Sequence, residues 1–386
     1  MRKTRVVFVT SAANTYGGEN ALFELIRGLE PDFEPVVVAP EPGELLQNLG
    51  KLNVKSYVVP FAVLERRYFH PLLIFSYLFA AIVSLFRLLH LFRGIKPDIV
   101  HTNNVLVLPG AIAAGIMGIP HVWHVREIIE KHHISPFLWR IWRWIILTFS
   151  SSVVCISSAV RHQFGDERKA VVIHDGIDTT QFSPQGPGKT KKAITFGIVG
   201  RLEHRRKGQD TFIEAARIAL ESRDDLHFVI IGSEREEIAD RERSLRETVE
   251  HHGLSKKIEF RGQISRQGME EAMQGLDVLV LCSKQPEGLG IVLLEAMACG
   301  KAVISYAEGG PLDIIKDHMN GILVPQGDVA KLAKAMLELA ENPRLRKSLG
   351  VEGRKTVEST FRSEMTAREV GNVYRQVLRD KKQPSL

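Results

Sequence analysis

Short apolar runs alternate with longer stretches of helical periodicity along the first half of the chain. The apolar runs predict strands at 6–11, 35–40, 54–60, 98–103, 121–127 and 153–158. The stretches between them predict helices at 18–30, 71–94, 109–117 and 136–149. Strands that lack a polar face are typical of a parallel sheet covered by helices on both sides. The pattern therefore predicts a Rossmann-like domain over residues 1–182.

The same alternation starts again after residue 192. Strands are predicted at 194–200, 227–232, 257–262, 278–283, 302–307 and 321–325. Helices are predicted near 209–222, 234–253, 267–274, 289–299, 311–317 and 328–341, with a last one at 364–381. The segment 183–192 is rich in Pro, Gly and Lys, which indicates a linker. We therefore expect an α/β protein of two facing Rossmann-like domains with a ligand cleft between them, the second domain covering 193–365.

The composition of the chain limits the compartment and the classes of ligand that are expected for the protein. The chain has 386 residues, 44% of them hydrophobic and 25% charged, which is ordinary for a globular protein. Its three cysteines, Cys155, Cys282 and Cys299, all lie in apolar runs, which favours buried thiols, a reducing compartment and hence a cytoplasmic location. No cluster with metal-ligand spacing is present, and no nucleic-acid-binding motif accompanies the net charge of +6.

The positive charge is concentrated in one part of the first domain. Residues 51–143 carry 11 Lys and Arg against 4 Asp and Glu, and the Trp- and Arg-rich segment 137–144 lies at their end. This mixture favours peripheral association with an anionic membrane surface. Segment 71–86 has no charge but is only 16 residues long, short of the roughly 20 needed to span a bilayer. We expect a buried or interfacial helix there, and true insertion is the alternative.

Two acidic residues and several glycines mark the candidate site in the second domain. Glu287 and Glu295 are eight positions apart, and they follow the apolar run 276–282. Gly288 and Gly290 lie between them, so a strand, a glycine-rich turn and a helix are predicted in succession. The start of such a helix directs amide N–H groups at a phosphate, and carboxylates beside it suit sugar hydroxyls. The segment is therefore predicted to bind a sugar joined to a phosphate.

Two cations and a glycine pair support this interpretation. Arg201 and Lys207 are six residues apart across a loop that follows a predicted strand, so both could reach one diphosphate. Gly17 and Gly18 follow the first strand and open a helix, where glycine allows a phosphate to approach the backbone closely.

These motifs, taken in order along nearly the whole chain, resemble the retaining glycosyltransferases of the two-Rossmann (GT-B) type, family 4 or group 1. The resemblance rests on Gly17-Gly18, on Gly200-Arg201 with Lys207-Gly208, on the Glu287/Glu295 pair, and on Gly309-Gly310. It implies transfer of a hexosyl group from a nucleotide diphosphate sugar, with UDP and GDP both open, to a hydroxyl of a lipid-linked or cell-envelope saccharide. It also implies no metal and no further cofactor, an acceptor domain followed by a donor domain, and a last helix at 366–386 that packs back on the first domain.

The resemblance also assigns roles to single residues. The catalytic set is His124, Arg201, Lys207 and Glu287. The donor-binding set is Gly17, Gly18, Gly200, Leu289, Gly290, Ile291, Val292, Glu295, Gly309 and Gly310. The acceptor-side set is His101, Asn103, Arg126 and Glu127. His121, which we expect on the same side of its strand as His124, is the alternative to it.

Three positions depart from the family pattern. Asp175 stands where the family has Asn in the turn 175–178, Asp313 is the nearest acid after Gly309-Gly310 where the family commonly has Glu, and Ala302 replaces a Pro. None of them removes a cation or carboxylate of the predicted site. A nucleotide-sugar epimerase and a non-catalytic sugar-nucleotide-binding protein on the same fold are the alternative functions.

Overall fold

The computed structural model describes residues 2–13, 17–64, 73–129, 135–185, 193–202, 204–232 and 240–382. The chain forms two compact units, one of residues 1–176 with 363–386 and one of residues 177–362. The boundaries between the units therefore lie at 176/177 and 362/363, whereas the sequence pattern placed them at 182 and 365. The predicted linker 183–192 falls inside the second unit, and its residues 186–192 lie outside the described part of the chain.

The first unit is built on a parallel sheet of seven strands. They are β1 (Thr4–Val9), β2 (Phe33–Ala39), β3 (Lys55–Val58), β4 (Ile99–Thr102), β5 (His121–Val125), β6 (Ser152–Cys155) and β7 (Ala170–Val172). Their order in the sheet is β3-β2-β1-β4-β5-β6-β7, and every pair is parallel. The order reverses direction at β1/β4, which is where doubly wound sheets bind ligands.

Among the described residues before position 177, six helices accompany this sheet. They are α1 (Gly17–Arg27), α2 (Glu44–Lys51), α3 (Leu73–Ile95), α4 (Leu108–Ile116), α5 (Pro136–Phe149) and α6 (Ser158–His162). Successive side chains of β1 point to opposite faces, so Phe8 packs with Leu22 and Leu45 of α1 and α2. Val7 and Val9 pack instead against α3, through residues such as Phe92. Burial on both faces explains why the strands have no polar side.

Helix α3 buries one face, which includes Tyr77, Ser84 and Phe92, and exposes the other. Its mean hydropathy over the most apolar window is 1.9, and the helix is long and apolar enough to cross a membrane by length and composition alone. Only 22% of that window is buried. Four large apolar side chains spaced as one helix face are 55–71% exposed: Phe75, Phe79, Ile82 and Phe86. Helix α5 likewise exposes Phe137, Ile141 and Trp144.

The second unit repeats the architecture with six parallel strands. They are β8 (Ile194–Val199), β9 (Leu226–Ile231), β10 (Ile258–Gly262), β11 (Val278–Leu281), β12 (Ala302–Tyr306) and β13 (Ile322–Val324), in the order β10-β9-β8-β11-β12-β13. The helices are α7 (His204–Lys207), α8 (Gln209–Ser222), α9 (Asp240–His251), α10 (Arg266–Gln274), α11 (Ile291–Ala298), α12 (Pro311–Ile314), α13 (Val329–Glu341) and α14 (Pro343–Thr360). The prediction of two Rossmann-like α/β domains is therefore confirmed.

The last helix, α15 (Ser363–Lys382), belongs to the first unit. Its residues Ala367, Val370 and Tyr374 are buried in the same core as α1 and α2. At its exposed side the Arg375 guanidinium forms an ion pair with Glu30, with Nη1 and Oε2 2.6 Å apart. The first unit is thus completed by the end of the chain.

Candidate functional site

A strand, a tight turn and a helix form the centre of the candidate site in the second unit. The fully buried strand β11 ends at Leu281, and α11 begins at Ile291. Gly290 caps this helix in the left-handed region, with φ of +91°. A residue with a side chain would be strained there, so glycine sets the angle at which the chain enters the helix. The first turn of α11 leaves amide N–H groups without a helical acceptor, which suits an anion.

Glu287 lies in this turn and is held by two side chains. The Lys207 Nζ donates to Glu287 Oε1 at 2.7 Å, and the Ser283 hydroxyl donates to the same oxygen. Burial alone would raise the pKa of Glu287, but the Lys207 ammonium and the two hydrogen bonds hold it below its ordinary value. Glu287 is therefore an ionised carboxylate, and both of these hydrogen bonds go to Oε1.

Two glycines from the next turn bring a second loop against the Glu287 turn. Gly310 N donates to the Glu287 carbonyl at 2.8 Å, and Gly309 bridges to Glu287 in parallel fashion. Gly309 has φ of +72°, and a Cβ there would lie 2.5 Å from that carbonyl oxygen. A Cβ on Gly310 would overlap the Cα of Leu289. The two turns thus pack backbone to backbone, which requires both glycines.

The predicted cations follow β8, the neighbour of β11. The Cγ and Cδ of Lys207 lie 3.6 Å from where a Cβ on Gly200 would be, so the lysine packs along that glycine. Gln209 Nε2 donates to the Arg201 carbonyl at 2.8 Å and fixes the loop between them. The structure therefore brings together Gly200, Lys207 and Glu287, with Arg201 next in the chain. Glu295 is buried within α11, one turn after its start.

A chain of buried polar rings lies in the first unit. The Tyr374 hydroxyl is 2.8 Å from His101 Nδ1, and His101 Nε2 is 3.3 Å from His124 Nδ1. His124 Nε2 has no hydrogen-bond partner among the described residues, and the Asp175 carboxylate is 3.7 Å away from it. All three rings are fully buried. His124, on β5, is the member at the end of this chain.

Both histidines of this chain are uncharged at neutral pH. Burial lowers the pKa of His101 and of His124 well below the ordinary value, and the nearby Arg126 guanidinium lowers both further. The 3.7 Å approach of His124 to Asp175 is therefore not an ion pair. Asp175 pairs instead with Arg126, whose Nη2 is 3.0 Å from Asp175 Oδ1. Burial raises the pKa of Asp175, and Arg126 opposes that rise.

Arg126 reaches from the end of β5 to the start of α1. It is 9% exposed, and apart from its ion pair with Asp175 its guanidinium nitrogens have no hydrogen-bond partner among the described residues. A Cβ on Gly18 would lie 3.5 Å from Arg126 Cδ, so the guanidinium stem lies against the first turn of α1. Asn103 Nδ2 donates to the Gly18 carbonyl at 3.4 Å, and among the described residues no atom beyond its chain neighbours lies within 4 Å of the Cβ position of Gly17.

Two expectations for the histidines need correction. His121 is three residues before His124, so it points to the opposite face of β5, where it bonds to Thr102 Oγ1 at 2.8 Å and to the Phe149 carbonyl. It is therefore a core histidine. His101 has no exposed surface and both ring nitrogens are bonded, so it supports His124 instead of lining an acceptor surface.

Glu127 is the remaining predicted acceptor-side residue, and the structure also places three residues that the sequence did not assign to the site. Glu127 is partly buried and accepts a hydrogen bond from Asn104 Nδ2 at 3.1 Å. Ser283, Asp175 and Tyr374 each contact a predicted site residue. Ser283 lies four residues before Glu287, so its position was available as a signal; Tyr374 is 273 positions from His101 and carried none. Within the described residues no group of three or more His, Cys, Asp or Glu side chains could hold a metal ion.

The fold and these turns define the class of protein. The structure superposes on HepE from Anabaena, solved with UDP, over 97% of this chain and 100% of that one, with a TM-score of 0.83 at 20% identity. The lipopolysaccharide outer core galactosyltransferase WaaB gives a TM-score of 0.69 at 18% identity, covering 96% of this chain and 98% of that one. Both share the fold, which is that of the GT-B glycosyltransferases.

Sequence comparison then gives the family. The model for glycosyltransferase family 4 matches residues 15–181, and the model for glycosyl transferases group 1 matches residues 179–356. The two matches adjoin and account for most of the chain, so the protein belongs to the group 1 glycosyltransferases of family 4.

Two curated relatives are mannosyltransferases. The phosphatidyl-myo-inositol mannosyltransferase of Mycobacterium leprae is 32% identical over 257 residues, 67% of this chain and 61% of that protein. The GDP-mannose-dependent monoacylated alpha-(1-6)-phosphatidylinositol monomannoside mannosyltransferase of Corynebacterium glutamicum is 29% identical over 226 residues, 54% of this chain and 57% of that protein. The matched region thus spans about three-fifths of the length of each relative.

Proposed function

We propose that this protein transfers a hexosyl residue, with retention at the anomeric carbon, from a nucleotide diphosphate sugar to a hydroxyl of a lipid-linked or cell-envelope saccharide. One observation carries the proposal. Glu287, in the turn that precedes α11, is paired with Lys207 of α7, and the Gly309-Gly310 turn packs against the Glu287 turn. A cation, an ionised carboxylate and free helix amides together match a sugar attached to a phosphate.

In the proposed reaction, Lys207 and Arg201 neutralise the diphosphate as it leaves. An ammonium group has three N–H donors, so Lys207 can keep its bond to Glu287 while it donates to a phosphate oxygen. The carboxylate of Glu287 accepts hydrogen bonds from hexose hydroxyls, and Glu295 accepts them from ribose hydroxyls. The amides of Leu289 to Val292 bind phosphate oxygens, and the developing negative charge is stabilised without a protein nucleophile.

Residues of the first unit are proposed to contact the donor sugar, the diphosphate and the acceptor. His124, neutral and unbonded at Nε2, donates a hydrogen bond to the donor sugar. Gly17 and Gly18 admit the diphosphate to the start of α1. Arg126, whose guanidinium has donors to spare, and Asn103 serve the acceptor. Attack by the acceptor hydroxyl on the face that the diphosphate leaves accounts for retention.

The exposed face of α3 and α5 is proposed to hold the enzyme at the cytoplasmic surface of an anionic membrane. The two apolar stripes lie on helices that both pack against α4. Exposed Arg87, Arg93 and Arg140 accompany them. Aromatic side chains with nearby cations are typical of an interfacial helix. The names of both curated relatives describe phosphatidylinositol-based acceptors, which is the class of substrate that such a surface would approach.

A panel of UDP- and GDP-sugars tests the donor assignment. Bound donor should raise the melting temperature in proportion to the logarithm of its concentration, and the best donor should support transfer to an added lipid-linked saccharide. NMR of the product should show the anomeric configuration of the donor. Conversion of the donor to its epimer without an acceptor would establish the epimerase instead. Binding with neither transfer nor hydrolysis would leave only the non-catalytic alternative.

Sedimentation with vesicles tests the membrane assignment. Vesicles that contain phosphatidylglycerol should bind the protein, and high salt or purely zwitterionic vesicles should weaken binding. The Phe79→Ser/Phe86→Ser double variant should lose about tenfold or more in vesicle affinity, because each buried aromatic side chain contributes about 1.5–3 kcal/mol. Met319→Ser is the matched control, since Met319 is exposed in the second unit. Equal binding of the double variant and the control would refute the assignment.

A further inference from the structure

The buried hydrogen-bond chain from Tyr374 through His101 to His124 has a defined direction from donor to acceptor. Tyr374 lies on α15, His101 on β4 and His124 on β5, so the three side chains come from distant parts of the sequence. Among the described residues, the Tyr374 hydroxyl has one hydrogen-bond partner, His101 Nδ1 at 2.8 Å. Burial raises the pKa of Tyr374 well above its ordinary value, so the phenol keeps its proton.

The direction follows from the donors and acceptors. A neutral imidazole has one N–H donor and one acceptor nitrogen. If the phenol donates to His101 Nδ1, the proton of His101 is on Nε2, and it can donate to His124 Nδ1. The proton of His124 is then on Nε2, the nitrogen without a partner. The reverse direction would leave a buried phenol O–H without an acceptor and would turn the lone pair of His124 Nε2 towards the Asp175 carboxylate, whose Oδ1 is 3.7 Å away. The forward direction turns an N–H towards that carboxylate instead, and is therefore favoured.

We propose that Tyr374 and His101 are positioning residues that hold His124 in the Nε2–H tautomer. His124 thereby presents a neutral N–H donor at the site, and neither Tyr374 nor His101 touches substrate. The use of that donor in transfer rests on the proposed function, whereas the tautomer itself does not. The arrangement also gives α15 a role in the site of the first unit, because it carries the hydroxyl that sets the direction of the chain.

The tautomer can be read directly by NMR. In the full-length protein labelled with ¹⁵N at histidine, two-bond nitrogen–proton correlations distinguish the Nδ1–H and Nε2–H forms of each ring. His124→Gln identifies the His124 signals by their absence. We expect Nε2–H at both His124 and His101 in the wild type, and a mixture of tautomers in Tyr374→Phe. Nδ1–H at His124 in the wild type, or a spectrum that Tyr374→Phe leaves unchanged, would overturn the proposal.

Kinetics separate positioning from packing. Tyr374→Phe keeps the ring in the core and should lower kcat about 10- to 100-fold with little change in the donor KM. Tyr77→Phe is the control, because it removes another buried hydroxyl of the same unit that does not belong to the hydrogen-bond chain from Tyr374 to His124. It should leave kcat and the His124 signals unchanged. Glutamine has no tautomers, so in a His124→Gln background the Tyr374→Phe effect should disappear. A full Tyr374→Phe loss in that background would show a structural role instead.

The two proposals can fail independently. If no sugar nucleotide is turned over by the wild type, the kinetic comparison lapses and the proposed function fails, while the NMR result still decides the tautomer. If transfer is found and Tyr374→Phe changes neither tautomer nor kcat, the proposed function stands and this inference fails.

Discussion

The Lys207–Glu287 ion pair can be tested by a double-mutant cycle. Lys207→Met removes the ammonium and keeps most of the stem that packs along Gly200, and Glu287→Gln removes the charge and keeps the shape. In the structure the two groups are 2.7 Å apart, with side chains 21% and 13% exposed. The pair is therefore neither a surface ion pair nor a fully buried one.

This intermediate burial sets the magnitude of the coupling. Exposed pairs contribute roughly 0.2–1 kcal/mol, whereas removal of one partner from a buried pair costs about 3–5 kcal/mol. We expect each single variant to lose about 1–2 kcal/mol, and the double variant to lose less than the sum of the two. For a unit of the size of residues 177–362, each kcal/mol corresponds to a shift of about 2–4 °C in Tm.

Thermal unfolding and transfer rates should separate the two roles of the pair. In the stability measurement the coupling energy should be about 1 kcal/mol, so the double variant should lose about that much less stability than the sum of the two single variants. In the transfer assay the double variant should recover nothing, because Lys207 is needed at the diphosphate, where loss of one such donor costs about 10²- to 10³-fold in kcat. Additive stability effects within 0.3 kcal/mol would refute the pairing, and full activity of Lys207→Met would refute the proposed role.

Three further outcomes follow from the structure. Gly208→Ala should lower Tm by several degrees, since its φ of +78° strains any other residue by about 1–3 kcal/mol and a Cβ would overlap the Cys282 carbonyl. Burial raises the pKa of the Cys155, Cys282 and Cys299 thiols to about 12, so none should react with a thiol reagent at pH 8 until the protein is unfolded. Because the folded pKa of Glu287 is below its ordinary value of 4.5, its charge contributes stability above that pH, and the Tm gap to Glu287→Gln should close as the pH falls through the folded pKa.

Apolar patterning was enough to predict the fold. Twelve of the thirteen strands were predicted within about three residues at each end, because buried parallel strands are continuous apolar runs. The pattern missed β7, which has three residues, and the helices α2, α6, α7 and α14. Of these, α14 has 18 mostly polar residues with only a few buried positions, so it depends on neighbours in space and not on a local pattern.

The sequence pattern also misplaced the boundaries between the two units, for a related reason. The Pro- and Gly-rich segment 183–192 looked like a linker, yet residues 177–182 already pack within the second unit. Ile177 pairs with Arg362, and Arg354 donates to the Phe182 carbonyl at 2.6 Å. Contacts with α14 decide where the second unit begins, and that helix was absent from the sequence prediction.

The two halves of the candidate site differ in how far they can be predicted. In the second unit, the turns at 287–290 and 309–310 need glycine for close approach and left-handed backbone, so the motif itself carries the geometry. In the first unit, His124 is set by side chains on β4 and α15, and a histidine on a buried strand looks the same whether it is structural or functional. This is why the sequence gave His101 an acceptor role. The alternative of His121, by contrast, is excluded by its spacing of three residues from His124, which places the two on opposite faces of a strand.

The same contrast bears on how the specificity of this family can be varied. The backbone turns at 287–290 and 309–310, which belong to the proposed donor site, cannot accept side chains at Gly290, Gly309 and Gly310 without strain or overlap, so this half of the site has little freedom to change. The Tyr374–His101–His124 chain depends only on side chains that fill a core, and one hydroxyl decides its direction. A single substitution of Tyr by Phe at position 374 would keep the packing and change the protonation of His124. The donor that His124 presents can therefore be altered by a residue that does not itself touch substrate in the proposed site, through the direction of one buried hydrogen-bond chain.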